Sequence, residues 1–250
     1  MKLHVYFTPA EFVAAQTSDS ADDICIVIDV IRATTSLAVM FDQGATRVYA
    51  ANTIEQARQA ARIHPEYLLC GERNALPLPD FAYGNSPVQF AQTDLRGCEL
   101  ILTTTNGSRA FYACPKQSVR LAGCFYNAQA VTSQALRLAK ERDTNIALVC
   151  AGEAGVFALD DATCAGYLAR ELLRQHTAIQ AHESVLAATA IYQHYAPPKL
   201  LAYGNSARSV IAAGLRADLD MCMRTSISTS VPTVVRQDAQ TNLLVLERLV

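Results

Sequence analysis

The sequence predicts an α/β protein with a mainly parallel sheet and helices on both faces. Two observations carry this: short apolar runs of strand length alternate with amphipathic stretches of helical spacing, and 250 residues, 51% hydrophobic and 18% charged, are enough to bury a large core. Strands that alternate with helices pair in parallel and are covered on both sides.

The expected strands, in order, are "LHVYF", "ICIVIDVI", "RVYAA", "EYLLCGE", "ELILTTT", "SVRLAGC" and "NIALVCAG". Between them, "TIEQARQAARIH" (53–64) and "NAQAVTSQALRLAKERD" (127–143) space Ala, Leu and Ile as helices do, with Thr53 and Asn127 suited to starting them. After Asp160 the texture changes, and "LDDATCAGYLARELLRQH", "HESVLAATAIYQHYA" and "SARSVIAAGLRADLDMCMR" predict three helices with little strand between them. Two short strands, "VPTVVRQ" and "NLLVLERLV", close the chain. The one internal echo, "AYGNSP" (82–87) against "AYGNSA" (202–207), reads as two uses of Asn-Ser at a helix start.

Charge and cysteine usage narrow the partners. A net charge of −2 provides no basic field for nucleic acid or an anionic membrane surface. No uncharged apolar run reaches membrane-spanning length, and the N-terminus lacks a signal-peptide core, so the expectation is a cytoplasmic, soluble protein. The eight cysteines are scattered through apolar runs with no Cys-x-x-Cys pair, and most read as buried free thiols.

The informative pattern is positional. Apolar runs end in polar or glycine-rich residues where the next helix begins: Asp29, Arg32, Thr34 and Thr35 after the second strand, Gly71, Glu72 and Arg73 after the fourth, Thr103 to Ser108 after the fifth, Asn127 after the sixth, and Gly152 and Glu153 after the seventh. In open α/β sheets ligands bind beyond the carboxyl ends of the strands, so these endings predict one shared cleft. Taken singly, each Thr, Ser or Asn is an ordinary helix cap. Asp29 is different, because a carboxylate inside an apolar run must meet a cation, either a metal or an arginine such as Arg32.

Arg32 and Arg73 offer planar forks to an oxyanion. Glu72, Glu153, Asp160 and Asp161 add hard oxygen donors suited to Mg²⁺, although Asp160 and Asp161 also suit the first turn of a helix. Asn106 and the Gly107 amide, rather than the three threonines before them, are the expected anion contacts of "ELILTTTNGSRAF". Walker-type and G-x-G-x-x-G loops are missing, no cysteine has an arginine at the cysteine-phosphatase spacing within a glycine-rich loop, and Asp29 is followed by Val30 and Ile31 rather than by the second aspartate of a D-x-D end. The five histidines fall outside the strand ends. Anion donors beside carboxylates point to metal-assisted phosphoryl chemistry.

The ordered series "VIDVIRATTS" (27–36), "GER" (71–73), "YGNSP" (83–87), "LTTTNGSRA" (102–110), "GCFYNAQA" (123–130), "VCAGEAGVFALDDATCAG" (149–166) and "VP" (231–232) resembles the 2-phosphosulfolactate phosphatase family. The resemblance implies a Mg²⁺-dependent phosphatase that converts 2-phosphosulfolactate to sulfolactate and phosphate on the route to coenzyme M. It also implies two closely packed α/β lobes with the site between them, drawn here as residues 1–126 and 127–250. By matching positions it implies Asp29, Arg32, Thr34, Glu72, Arg73, Asn85, Asn106, Glu153 and Asp161 as site residues. The chain departs from the family pattern at Ala82, where an acidic residue is usual, and in reading "LDD" where "LED" is usual.

The mechanism expected from these residues has Asp29, with Glu72 or Asp161, holding Mg²⁺ against the phosphate. Arg32, Arg73 and the amides near Asn106 take the remaining charge, while Thr34, Asn85, Gly107, Asn127 and Glu153 shape the substrate pocket. Water is the expected nucleophile and the Asp29 carboxylate its rival. Action on another small phosphorylated acid, and non-catalytic binding of an anionic metabolite, are the alternative functions. A homodimer is an open expectation.

Overall fold

Strand β2 (Ile24–Ile28) is apolar at every position because both of its faces are buried. Ile24, Ile26 and Ile28 point into one core while Cys25 and Val27 point into the other, the two-residue period of a pleated strand. This is how the computed structural model, which describes residues 1–16 and 22–249, turns a continuous apolar run into the centre of a three-layer α/β sandwich.

Eleven strands form the sheet. They are β1 (Lys2–Tyr6), β2, β3 (Arg47–Ala51), β4 (Leu68–Arg73), β5 (Leu76–Pro77), β6 (Glu99–Thr103), β7 (Val119–Gly123), β8 (Ile146–Cys150), β9 (Gln180–Ala181), β10 (Val231–Gln237) and β11 (Leu244–Leu249). The order is β5-β4-β6-β3-β11-β10-β7-β2-β8-β1-β9. Two blocks are parallel: β4-β6-β3 and β7-β2-β8-β1. The hairpin of β10 and β11 is wedged between them, antiparallel to both neighbours. Position 126, the expected lobe boundary, falls after β7 inside the second block. Val250, the last residue of the final predicted strand, lies outside the described residues.

Helices cover both faces. On one side α6 (Ala128–Arg142), α7 (Leu159–Gln175) and α8 (Glu183–Tyr195) pack on β2, β8 and β1, and α3 (Ile54–Ile63) packs on β3 and β6. On the other lie α1 (Pro9–Ala15), α2 (Ala33–Asp42), α4 (Pro87–Ala91) and α5 (Gly107–Ala113). Thr53 caps α3 as its position predicts, its side chain accepting from the Gln56 amide.

The predicted helix over 206–224 is two. Gly214 takes φ +78°, a conformation that costs glycine nothing but strains a side chain, and the chain breaks there into α9 (Asn205–Ala212) and α10 (Arg216–Cys222). Instead of lying along the sheet, these helices form a small core of their own with Ala207, Val210 and Leu219, against Ile31 and Ala75. That position lets them face the carboxyl ends of the strands. All eight cysteines are free, seven buried and Cys98 half-buried. Among the described residues no helix is long and apolar enough to cross a membrane.

Candidate functional site

The loops after β2, β4, β6 and β8 meet α9 around a cavity of about 200 Å³. Asp29, Glu72, Glu153, Arg32, Asn85 and Asn106 all line it, together with Ser206 and Ser209 from α9. The first parallel block contributes the Glu72 and Thr105 side and the second the Asp29 and Glu153 side. The Asn-Ser echo proves to be spatial as well: Asn85 and Ser206, one from each copy, line this one cavity.

Asp29 sits where β2 ends, 7% exposed. Its Oδ1 accepts from the Ala33 amide at 3.2 Å, and its backbone is stapled to Thr34, whose hydroxyl donates to the Asp29 carbonyl at 2.8 Å. Gly107 is a glycine for want of space, since a Cβ there would stand 2.6 Å from the Ala33 Cβ and 2.7 Å from Asp29 Oδ2. Burial raises the Asp29 carboxyl to about 7, and the charges of Asp160 and Glu72 push the same way against the Ala33 and Gly107 amides. Asp160 is raised to about 6, again by burial first, while a hydrogen bond from Ser206 at 3.2 Å opposes the rise.

Two further carboxylates are braced by donors. Glu72 Oε1 accepts from the Thr105 amide at 2.8 Å and hydroxyl at 2.9 Å, and its Oε2 from the Ala75 amide at 3.1 Å. Asp161 accepts from the Val30 amide at 2.9 Å and the Gly152 amide at 3.0 Å, tying the ends of β2 and β8 together. It lies outside the cavity lining. Burial, then Asp160 and Asp29, hold its carboxyl well above the usual range.

Arg32 does not pair with Asp29, the partnership a purely structural reading of that carboxylate would require. Its Nη1 donates to Asp218 Oδ2 at 2.6 Å, with both side chains almost fully buried, and its Nη2 donates to the Ala75 carbonyl at 2.7 Å. Asp218 in turn accepts from the Ser86 hydroxyl at 2.6 Å, next to Asn85. The sequence gives no sign of Asp218, because it lies 186 residues from Arg32 and within a predicted helix rather than at a strand end. Asn85 is buried, and its Oδ1 has no hydrogen-bond partner among the described residues. Such an orphan is rare in a folded protein.

The remaining expected residues divide. Asn106 accepts from the Ala154 amide at 3.1 Å instead of capping α5, which falls to Thr104, whose hydroxyl accepts from the Ser108 amide at 3.0 Å. Asn127 is fully buried away from the cavity, its side chain spent on the Cys124 amide and the Ala122 and Ser230 carbonyls. Arg73 turns to the Glu72 carbonyl and Thr103, and neither it nor Thr34 lines the cavity. Among the described residues no three His, Cys, Asp or Glu side chains gather into a metal cage.

A mostly parallel sheet with one polar cleft beyond its strand ends defines an α/β protein of the kind that handles small ligands at that edge. The model of the 2-phosphosulpholactate phosphatase family matches residues 7–237, and the chain belongs to that family. A relative in Deinococcus radiodurans, described as a probable 2-phosphosulfolactate phosphatase, is 34% identical over 86% of this chain and 89% of its own. Relatives with the same description in Thermus thermophilus (32% identical, 94% of each chain) and Gloeothece citriformis (31%, covering 93% and 95%) extend the likeness to nearly full length.

Proposed function

We propose that this chain is a Mg²⁺-dependent phosphatase that hydrolyses 2-phosphosulfolactate to sulfolactate and phosphate, a step toward coenzyme M. The observation that carries the metal is one of charge. Among the described residues, Asp29, Glu72 and Glu153 line the cavity against one arginine, which Asp218 already balances. A substrate bearing phosphate, carboxylate and sulfonate groups would be repelled from such a cavity unless a cation came with it.

The donor set suits Mg²⁺. All the candidates are hard oxygens, and the unpartnered Asn85 Oδ1 adds another buried oxygen at the same cavity. Mg²⁺ commonly takes only one or two carboxylates and completes its shell with water and phosphate oxygens, so a closed protein cage is not required. Asp29 and Glu72 would hold the ion, which when bound supplies Lewis-acid stabilisation of the phosphoryl oxygens. Asp161, with both oxygens on amides, would instead fix the two loops that carry Asp29 and Glu153.

The side chains have complementary tasks. Asp29, its carboxyl raised to about 7 in the absence of the ion, would give up its proton near neutral pH as Mg²⁺ binds. Arg32 is held rigid by Asp218 and the Ala75 carbonyl and borders the cavity, where it can meet a phosphoryl oxygen. Asn106, anchored by the Ala154 amide, lines the same cavity.

Phosphate release from 2-phosphosulfolactate should require Mg²⁺, cease with chelator, and exceed release from phosphorylated hydroxy acids that lack a sulfonate. Full turnover in chelator would remove the metal from the reading; a faster sulfonate-free substrate would remove the named one. Hydrolysis of substrate made chiral at phosphorus with oxygen isotopes should invert its configuration, and retention, the mark of two successive displacements, would replace water attack with attack by Asp29.

A further inference from the structure

A second cavity, of about 500 Å³, lies at the other end of the strands, where β7 begins and α6 finishes. It opens beside a short pairing: β10 meets β7 only at Thr233 and Val234, while the irregularity between Val234 and Arg236 lies in the pairing of β10 with β11. Lys116, Arg120, Arg142 and Arg236 line the gap, and among the described residues no carboxylate does. In a chain of net charge −2 this is a local concentration of positive charge.

Arg120 is the unusual member. It is 7% exposed, its Nε has no partner among the described residues, and Nη1 reaches only the Phe111 carbonyl at 3.5 Å. No ion pair of Arg120 is found among the described residues, and neither Lys116 nor Arg142 has one. Arg236 alone is balanced, by Asp238 at 3.0 Å. A buried guanidinium stays charged, and leaving it without an anion is costly. Every other arginine this deeply buried would need a carboxylate, as Arg32 has.

We propose that this cavity is a second binding site, separate from the catalytic cleft, for a small organic oxyanion: a phosphate or carboxylate headgroup seated on Arg120, with an apolar body against Leu138 and the rim closed by Lys116 and Arg142. The planar fork of Arg120 matches either headgroup. Lys116 and Arg142 are exposed and free to approach a ligand. The volume falls in the range that holds a small metabolite.

Amide NMR on the full chain, titrated with phenylphosphonate or benzoate at constant ionic strength, separates the two sites within one protein. Saturable shifts at residues 116–120 and 234–237 are expected, with binding at those residues weakened about tenfold or more in Arg120→Met and turnover of 2-phosphosulfolactate unchanged. The tighter of the two probes identifies the preferred headgroup. Shifts confined to residues 29–34, 72–75 and 104–108, or shifts at 116–120 that persist undiminished in Arg120→Met, overturn the proposal. Should Arg120→Met fail to fold, the rim pair Lys116→Gln with Arg142→Gln replaces it, and undiminished binding by that variant refutes the site equally.

Discussion

Asp218→Asn isolates the contact on which Arg32 depends, the one cation lining the cleft among the described residues. The substitution removes the charge opposite Arg32 at 2.6 Å, in a pair whose side chains are 3% and 2% exposed. Leaving one member of such a pair buried and uncompensated costs about 3–5 kcal/mol. For a chain of this size each kcal/mol is worth roughly 2–4 °C, so the melting midpoint should fall by about 6–20 °C. Activity should fall as well, because Asp218 also receives the Ser86 hydroxyl at 2.6 Å and so fixes the turn that carries Asn85. Misplacing Arg32 and Asn85 by about an ångström is expected to lower kcat/KM on the order of a hundredfold. The informative control is the double variant Arg32→Met with Asp218→Leu. An apolar pair of similar volume should recover most of the lost stability, as buried ion pairs often allow, while catalysis stays lost. Calorimetry and phosphate release on the three variants decide the matter. A midpoint within about 2 °C of wild type for Asp218→Asn, or a double variant no more stable than the single, refutes the account of Arg32.

Asp29→Asn should lower kcat at least about a hundredfold with the fold retained, checked by turnover alongside circular dichroism. Because burial raises Asp29 to about 7 and Asp160 to about 6 from the ordinary 3.8, the fold favours their protonated forms. Their stabilisation is therefore complete below about pH 4 and is lost as pH rises through 6 and 7, by roughly 4 kcal/mol for Asp29 alone. Urea midpoints without Mg²⁺ should accordingly drop between pH 5 and pH 8, and Mg²⁺ should restore them at pH 8; a flat profile would contradict the burial of these acids. Gly107→Ala should cost about 1–3 kcal/mol by overpacking against Ala33 and reduce kcat more than KM through displacement of Asp29, read from steady-state kinetics.

Much of the fold was legible because its signals are local. The strand predicted at "RVYAA" is β3 residue for residue, "VPTVVRQ" is β10, and the helices over 53–64 and 127–143 are α3 and α6 to within a residue at each end. Thr103 ends β6 as a strand residue, leaving the hydroxyls after it to the turn. The placement of polar residues at strand ends was legible too, and it assembled Asp29, Arg32, Glu72, Asn106 and Glu153 around one cavity, to which the family resemblance added Asn85. A parallel sheet puts all of its carboxyl ends at one edge, so a one-dimensional pattern becomes a place.

Residue type alone could not say where a long or amphipathic side chain would turn. Arg73 and Asn127 sit at strand ends just as Arg32 and Asn106 do, yet one reaches for its neighbours' oxygens and the other is buried among backbone groups. The wedge of β10 and β11 into the middle of the sheet, and with it the gap at Arg120, has no local signature, because strand pairing across more than a hundred residues leaves none.

From its own periodicity and composition, then, the sequence determined the α/β class, the run of elements and the edge at which the polar residues would meet, since these follow from which atoms can be buried by a strand or helix. Only the tertiary structure decided that Gly214 would break the third late helix and bring Asp218 onto Arg32, that the burial of Asp29 would raise its carboxyl to about 7, and that one arginine would have a carboxylate while another, Arg120, would not. Ion pairing and desolvation depend on distance and surroundings, and the chain sets those only once it has folded.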